Sequence, residues 1–312
     1  MRVLITGRDG QLGQALQASC PAAVELIACG RSELDLADPS SCQDAVRRHC
    51  PDWVINAGAY TAVDRAEQEQ ELALAVNAGG PGALAAALAE TGGRMVHVST
   101  DFVFNGQQGH PYQPDQPLDP LGAYGRSKAA GEEGLAAALP ADRWCLLRTS
   151  WVYGPVGRNF LLTMLRLHGL RAAAGEPLQV VADQVGCPTA TAGLAQACWA
   201  AVERGLSGRH HWSDAGAASW YDFAVAIGEL GAGAGLLERA ALVEPITTAD
   251  FPTPAQRPSF SLLACGPTRA ALALPARHWR QALAAVIAEL AAAQGPTVRG
   301  SVRPGPGPAL QR

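Results

Sequence analysis

The chain has 312 residues, of which 48% are hydrophobic and 17% are charged, and its formal net charge is −4. This length and apolar content allow one large domain, or two lobes that share a cleft, around a sizeable core. Charges of both signs are interspersed, so the sequence predicts no surface for nucleic acid or for an anionic membrane.

Short apolar runs alternate with Ala- and Leu-rich helical stretches in the first half of the chain. Strands are predicted at 3–5, 24–28, 54–56, 95–98 and 145–147, and helices from about residue 11 and at 39–49, 71–90 and 127–138. Nearly continuous apolar strands are typical of a parallel sheet covered on both faces. The alternation predicts an α/β fold, a Rossmann-type doubly wound parallel sheet with right-handed crossovers.

The pattern changes after about residue 150, where Gly and Pro become irregularly spaced. Helices are predicted at 159–168, 220–230 and 279–293. We expect residues 1–150, with roughly 192–214, to form the sheet domain, and residues 151–191 and 215–293 to form a smaller C-terminal lobe. Residues 294–312 repeat Pro and Gly and predict a disordered tail.

A glycine-rich turn with G-x-x-G-x-x-G spacing follows the first predicted strand. Gly7 permits the tight turn, Gly10 lets the backbone approach a pyrophosphate, and Gly13 lets helix and strand pack closely. The helix N-terminus would then face the anion. This position directly after an apolar strand favours a dinucleotide site over a plain turn.

The end of the second predicted strand bears on the choice of cofactor. An acidic side chain there would bind the ribose hydroxyls of NADH, but Gly30 is neutral and Arg31 is basic. We therefore predict NADPH, with Arg31 near its 2′-phosphate and NADH as the alternative; Arg31 facing solvent is the other interpretation. Asp35 and Leu36 follow at the point where an adenine would lie.

Lys128 is the only lysine in the chain and follows Tyr124 by four residues, so a helix would put both side chains on one face. A neighbouring ammonium stabilises a phenolate and lowers the pKa of the phenol. The phenol could protonate a developing alkoxide while hydride arrives from a nicotinamide. The pair predicts an oxidoreductase with Tyr124 as the acid and Lys128 as its partner, and a solvated lysine is the alternative.

The segment Val98-Ser99-Thr100-Asp101 ends another predicted strand. Ligands of parallel sheets meet the carboxyl ends of the strands, so Thr100 would orient a substrate carbonyl oxygen. Asp101 would bind a substrate hydroxyl. The alternative for Thr100 is a hydroxyl bound by the local backbone.

These motifs, with several further ones in the same order, resemble the dTDP-4-dehydrorhamnose reductases, a family of extended short-chain dehydrogenase/reductases. The segments that carry the resemblance are Gly7 to Gly13, Asn56 to Asp64, Val98 to Asp101, Tyr124 to Lys128, Leu147 to Gly154, Asn159-Phe160, Asp183 to Thr189, Tyr221 to Phe223 and Pro252 to Pro258. They span nearly the whole chain except the tail. The segments at 56–64 and 147–154 are much more specific than the glycine and Tyr/Lys motifs.

The resemblance implies hydride transfer from NADPH, or NADH, to C4 of dTDP-4-dehydro-β-L-rhamnose, the last step of dTDP-L-rhamnose synthesis. It implies an NAD(P)-binding sheet domain and a substrate-binding C-terminal lobe. By positional match the resemblance implies cofactor contacts at Gly10, Gln11, Leu12, Asp35, Leu36, Ala59, Tyr60 and Thr61. The full set of predicted cofactor contacts adds Gly7, Gly13, Arg31, Val98, Tyr124 and Lys128. The implied substrate contacts are Thr100, Asp101, Phe102, Trp151, Asn159 and Arg257.

The chain departs from the family pattern at Phe102, where Tyr is common, at Gly30, where an acid is common, and at Ala264, where Asp is common. A 4,6-dehydratase would need Glu directly after Asp101, where Phe102 stands. Another nucleotide-sugar 4-ketoreductase or a 4-epimerase stays open, as does a non-catalytic NADP-binding regulatory subunit like that of methionine adenosyltransferase.

The eight cysteines show no C-x-x-C pair and no metal-type spacing, so the sequence predicts reduced thiols, no metal site and a cytoplasmic location. No apolar run approaches the roughly 20 residues that would cross a bilayer. The sequence does not reveal whether Mg²⁺ takes part. Ala-rich helices could form a homodimer interface, although core packing explains them equally well.

Overall fold

A computed structural model describes residues 1–293, so the predicted tail at 294–312 lies outside the described residues. The strands are β1 Arg2–Thr6, β2 Glu25–Cys29, β3 Trp53–Asn56, β4 Arg94–Thr100, β5 Trp144–Thr149, β6 Val152–Tyr153, β7 Leu178–Val181, β8 Val185–Gly186, β9 Thr189–Ala190, β10 Gly208–His211, β11 Ala218–Ser219 and β12 Val243–Ile246. The α-helices are α1 Gln11–Ala18, α2 Pro39–His49, α3 Val63–Ala66, α4 Gln70–Leu74, α5 Gly80–Thr91, α6 Ala123–Ala138, α7 Phe160–Ala174, α8 Thr191–Arg204, α9 Trp220–Gly233, α10 Gly266–Leu272 and α11 Trp279–Ala293.

The central sheet has six parallel strands in the order β10-β5-β4-β3-β1-β2. One apolar cluster covers one face with residues of α1 and α8, such as Leu16 and Trp199. A second cluster covers the other face with residues of α2, α5 and α6, such as Val46, Leu84 and Leu135. This arrangement confirms the predicted Rossmann-type sheet. The order of strands reverses between β1 and β3, and that switch point is where such sheets bind ligands.

The apolar runs predicted five of the six central strands, each within a few residues of its observed bounds. Strand β10 was missed because its residues, Gly-Arg-His-His, form no apolar run. It lies at the edge of the sheet and is only partly buried, so it does not need the apolar residues of a central strand. The helix expected at 71–90 is interrupted by a π-helical turn, Ala75–Gly79, between α4 and α5. Helix α6 begins at Ala123, so it includes Tyr124 as well as Lys128.

A third large cluster lies in the second half of the chain and joins α7, α9 and α11 with the parallel pair β7–β12. Its centre includes Tyr153, Phe223 and Ile227, all fully buried. Helix α9 begins with a capping box in which Ser219 and Asp222 bind each other's backbone N–H groups. The predicted division of the chain into two domains at stated residues stays a prediction.

One continuous helical stretch, Gln70–Thr91, is long and apolar enough to cross a membrane, with a mean hydropathy of 1.5 over its best window. The sequence expectation that no apolar run approaches the length needed to cross a bilayer was therefore wrong, since this stretch meets the criterion by its length and composition. Half of that window is buried inside the protein, against α2 and α6, so the stretch is weak evidence for a membrane span. The eight cysteines are all unpaired, and six of them are buried.

Candidate active site

The turn between β1 and α1 requires glycine at two of its three predicted positions. Gly7 has a φ of +70°, and a Cβ atom there would lie 2.7 Å from the Cα atom of Gly58. A Cβ atom on Gly13 would lie 2.1 Å from the carbonyl oxygen of Gly7. Gly10 is the N-cap of α1. The turn therefore brings backbone N–H groups and a helix N-terminus to the carboxyl ends of β1 and β3.

A cavity of about 660 Å³ runs from this turn past the ends of β3, β4 and β5. It brings together most of the residues predicted from the sequence: Gly7, Gly10, Gln11, Leu12, Ala59, Thr61, Val98, Thr100, Asp101, Phe102, Tyr124, Lys128, Trp151 and Arg257. Its wall also contains residues that the sequence had not assigned to the site: Ala57, Gly58, Val63, Ser99, Thr149, Ser150, Val152, Arg158, Leu194 and Trp220.

The other predicted residues lie behind this wall or outside it: Gly13, Arg31, Asp35, Leu36, Tyr60 and Asn159. Leu36 is buried under the turn, since a Cβ atom on Gly58 would lie 2.8 Å from its Cδ1 atom. The Asn159 side chain caps α7 by accepting from Leu162 N at 2.9 Å, and its Nδ2 atom donates to Gln11 Oε1 at 2.8 Å. Asn159 thus ties the loop before α7 to the glycine-rich turn.

Helix α6 carries Tyr124 and Lys128 beside the end of β4. The Lys128 side chain is 2% exposed, and its Nζ atom donates to the Val98 carbonyl oxygen at 2.8 Å. The Thr100 hydroxyl donates to Asp101 Oδ1 at 3.0 Å and accepts from Phe102 N at 3.2 Å. The Phe102 ring meets the Tyr124 ring edge to face, with centroids 5.6 Å apart. The phenol, hydroxyl and ammonium therefore lie on one wall of the cavity.

Burial dominates the protonation of these groups. It lowers the pKa of Lys128 to about 8, although Glu132 opposes that change. It raises the pKa of Tyr124 to about 12, while the Thr100 hydroxyl favours the phenolate. The sequence expectation was the opposite, a lower pKa for the phenol beside an ammonium. Lys128 donates to Val98 instead, and the loss of water around the phenol outweighs the hydrogen bond with Thr100. Tyr124 is therefore a protonated phenol at neutral pH.

Asp101 is a carboxyl group that is only 1% exposed and lies on the cavity wall. Within the described part of the chain, its Oδ2 atom has no hydrogen-bond partner. Burial raises the pKa of Asp101 to about 6, against the effect of nearby hydroxyls. The Ser261 hydroxyl acts on this carboxylate together with Thr100, so a ligand hydroxyl that binds Oδ2 would share the carboxylate with Ser261.

An amide that the sequence analysis missed joins the loop after β3 to helix α6. Asn77, in the π-helical turn, accepts from Tyr60 N at 2.9 Å and donates to Tyr60 O at 3.0 Å. It also donates to Ser127 Oγ at 3.0 Å, and Ser127 in turn donates to the Tyr124 carbonyl oxygen. Asn77 is the one polar side chain between Leu72 and Ala89 in an otherwise apolar helical stretch, and that was the available signal.

The far end of the cavity has two indoles and an arginine. Trp151 has a left-handed φ of +48°, and a Cβ atom on Gly186 would lie 2.7 Å from its ring. Trp220 stacks on Trp151 and donates to Gln184 Oε1 at 3.2 Å. Arg257 donates to Asp64 Oδ2 at 2.9 Å, which joins two of the motifs noted in the sequence.

The end of β2 differs from the sequence expectation. The Arg31 side chain is 78% exposed and pairs with Asp35 at 3.3 Å. The carboxylate of Glu33 accepts from Gly30 N at 3.1 Å and pairs with Arg8 at 3.2 Å. An acidic group therefore does lie at this strand end, three residues later than the position considered, and Arg8 balances its charge. In residues 1–293, no cluster of His, Cys, Asp and Glu is arranged to hold a metal ion.

Comparisons with known proteins agree with this geometry. The family described as the RmlD substrate binding domain matches residues 1–292. The chain is 41% identical over 295 residues to a dTDP-4-dehydrorhamnose reductase of Mycobacterium tuberculosis, covering 92% of each chain. It is 39% identical over 288 residues to one of Sinorhizobium fredii, covering 90% of this chain and 95% of that protein. A solved dTDP-4-dehydrorhamnose reductase of Bacillus anthracis, in complex with NADP, has a TM-score of 0.86 and 34% identity, and the match covers 92% of this chain and 99% of that one.

Proposed function

This chain belongs to the RmlD substrate-binding-domain family together with dTDP-4-dehydrorhamnose reductases, and from that premise we infer that it reduces dTDP-4-dehydro-β-L-rhamnose to dTDP-β-L-rhamnose with NADPH. It is an oxidoreductase that acts on the 4-keto group of a nucleotide sugar. The observation that carries this conclusion is the single cavity that joins the glycine-rich turn to Tyr124, Lys128 and Trp151.

The residues at the turn suit a dinucleotide. The positive φ of Gly7, and the close approach that excludes a Cβ atom at Gly13, leave a backbone cradle at the N-terminus of α1. We propose that Gly10, Gln11 and Leu12 bind the cofactor pyrophosphate there, and that Ala59, Thr61 and Val98 contact the rest of the cofactor. When bound, NADPH supplies the hydride that the reduction needs.

Tyr124 is proposed as the proton donor to the C4 oxygen. A raised pKa suits this direction of reaction, because the phenol stays protonated until the oxygen becomes an alkoxide. Thr100 orients that oxygen, and its hydroxyl together with the Lys128 ammonium stabilises the phenolate that remains. Lys128 also holds the nicotinamide ribose hydroxyls. Each of these groups contacts the same cavity.

The sugar-binding end is proposed to use the two tryptophans and Asp101. An indole face can cover the apolar ring hydrogens and the methyl group of a 6-deoxysugar. The unpartnered Oδ2 atom of Asp101 accepts from a sugar hydroxyl. Arg257, held by Asp64, binds the nucleotide phosphates through charge-assisted hydrogen bonds. Phe102 contributes its ring to this end, and Asn159 positions the neighbouring loop.

Arg31, Asp35, Leu36, Tyr60 and Gly13 shape the adenosine side of the cofactor site in this proposal. NADH as a second hydride donor, a homodimer and a cytoplasmic location remain proposals of the same kind. Participation of Mg²⁺ has no support from the donor groups of residues 1–293.

The test is an assay of NADPH oxidation by purified protein with dTDP-4-dehydrorhamnose and with a panel of other dTDP- and UDP-4-keto sugars. Oxidation should require a 4-keto sugar and be fastest with dTDP-4-dehydrorhamnose. The Tyr124→Phe variant keeps the ring contact with Phe102 but should lose about 10²- to 10⁴-fold in kcat. Full turnover by that variant would refute the assignment of the acid, and oxidation only with another sugar would refute the substrate.

A further inference from the structure

A buried ion pair lies directly behind the cavity and has no part in the mechanism above. Arg148 of β5 donates to Glu132 of α6 through Nη2 at 2.7 Å and through Nε at 3.0 Å. Their side chains are only 1% and 3% exposed. Every other ion pair in residues 1–293 has at least one partner that is more than 20% exposed, so this pair is exceptional in this protein.

The pair is tied to the strand that carries Thr100. Ser99 of β4 faces Arg148 across the sheet as its register partner, and its hydroxyl donates to Glu132 Oε1 at 2.6 Å. Arg148 Nη1 donates to the Pro114 carbonyl oxygen at 2.9 Å and lies 3.2 Å from His211 Nε2. Burial and the Arg148 charge lower the pKa of His211 to about 3, so that imidazole is neutral. Within the described residues, Glu132 is therefore the only anion paired with Arg148.

Glu132 follows Lys128 by four residues on α6, so the two side chains lie on one helix face. Lys128 donates to Val98 and Glu132 accepts from Ser99, and these strand residues directly precede Thr100. Two hydrogen bonds from adjacent turns of α6 thus hold the helix to adjacent residues of β4. They fix where Lys128 and Tyr124 lie relative to Thr100.

The charges around Lys128 come from three elements. Tyr124 and Glu132 lie on its own helix, His97 and Asp101 lie on β4 or directly after it, and Arg148 lies on β5 behind Glu132. Burial and Lys128 hold the pKa of His97 well below its usual range, so His97 adds no charge. Glu132 opposes the lowering of the Lys128 pKa that burial causes. A buried ion pair is weak evidence for stability in itself, so a role in the site is the better explanation of its presence.

We propose that Glu132 is a positioning residue that, held by Ser99 and Arg148, keeps Lys128 in place and protonated at neutral pH. This inference rests on the proposed reductase chemistry for its purpose. The effect of Glu132 on the pKa of the Lys128 amine can be measured without an activity assay.

The single lysine makes that measurement direct. Protein labelled with ¹³C at lysine Cε has one lysine side-chain NMR signal, and its titration midpoint is the pKa of Lys128. The wild-type midpoint should lie near 8. In Glu132→Gln/Arg148→Met, which removes both charges of the pair and leaves no unpaired ion, the midpoint should fall by about one unit. Glu132→Gln alone leaves Arg148 unpaired and is expected to fold poorly.

Two controls separate this effect from general loss of charge. Arg47→Gln/Glu90→Gln removes a solvent-exposed ion pair and should leave the midpoint unchanged. Ser99→Ala keeps both charges but removes one hydrogen bond, so the midpoint should move little while kcat falls. An unchanged midpoint in the folded Glu132→Gln/Arg148→Met variant would overturn the proposal. If the midpoint shifts as expected but the wild-type protein reduces no 4-keto sugar, the proposed function is rejected and the effect of Glu132 on Lys128 stands.

Discussion

The indole rings of Trp151 and Trp220 stack face to face, with centroids 3.6 Å apart and planes 6° from parallel. The two residues are distant in sequence, and Trp151 holds a backbone conformation that non-glycine residues rarely adopt. Trp220 also packs against Phe160 and is fixed by Gln184. The stack therefore sets the position of the Trp151 ring at the end of the cavity that is proposed to bind the sugar.

The Trp220→Ala variant should bind the sugar nucleotide less well because Trp151 loses its support. An aromatic pair contributes about 0.5–1.5 kcal/mol beyond area burial, so we expect KM for the dTDP-sugar to rise about three- to tenfold. KM for NADPH should not change, because Trp220 lies at the other end of the cavity. Steady-state kinetics with each substrate varied in turn measures both, and Trp220→Phe is the control that retains a ring. An equal rise in both constants would contradict this role.

The pH dependence of kcat/KM should have two limbs. In the proposed mechanism the protonated Lys128 is the active form, so activity should fall as pH rises through about 8. In the same proposal the ionised Asp101 accepts from a sugar hydroxyl, so activity should also fall as pH decreases through about 6. Rate profiles from pH 5 to 10 would reveal both limbs. Asp101→Asn should lose the acid limb alone, and an acid limb that persists in that variant would point to another group.

The Arg31→Asp variant tests the cofactor choice. If the exposed guanidinium binds the 2′-phosphate of NADPH, the reversal of charge should raise KM for NADPH by about tenfold or more and leave KM for NADH nearly unchanged. Kinetics with both cofactors give the ratio, and Arg47→Asp, a charge reversal in the last turn of α2, serves as the control. Equal effects on the two cofactors would assign Arg31 to solvent.

The Asn77→Ala variant should be both less stable and less active. It removes hydrogen bonds from Tyr60 and Ser127, and leaving buried polar groups unpaired costs about 1–3 kcal/mol. Urea denaturation followed by circular dichroism measures the free energy of unfolding. The kcat value should fall as well, because Ser127 lies on the helix that carries Tyr124. A variant with unchanged unfolding and unchanged kcat would show that the π-helical turn is held by other contacts.

The sequence predicted those parts of the fold that follow directly from a local pattern of residue types. Apolar runs gave the buried parallel strands, and the fixed spacing from Tyr124 to Lys128 gave a shared helix face. Glycines gave the turn, since no other residue fits at Gly7 or Gly13. These features depend on neighbours in the chain or on steric exclusion, and both can be inferred from residue types.

What the sequence did not predict depends on contacts between distant segments. Trp220 joins the site only because α9 packs against the loop that contains Trp151, and Glu33 is paired at the end of β2 with Arg8 of the glycine-rich turn. Likewise, the direction of the Tyr124 pKa shift depends on how much solvent the folded cavity removes. Glu132 has an ordinary helical context in sequence, and its partners Ser99 and Arg148 lie on two strands of the sheet. Asn77 stands out in its apolar stretch, but only folding brings its partners Tyr60 and Ser127 to it.

The path of the chain through the central sheet limits how this protein can be divided. Strand β10 pairs with β5, yet the whole of α7 and the short strands from β6 to β9 are synthesised between them. A fragment that ends after β5 would expose an unpaired strand edge, which invites aggregation. A nascent chain therefore completes its sheet only after β10, at Gly208–His211, has left the ribosome. Neither half of this enzyme is a suitable unit for separate expression or for domain exchange with a relative at a single junction.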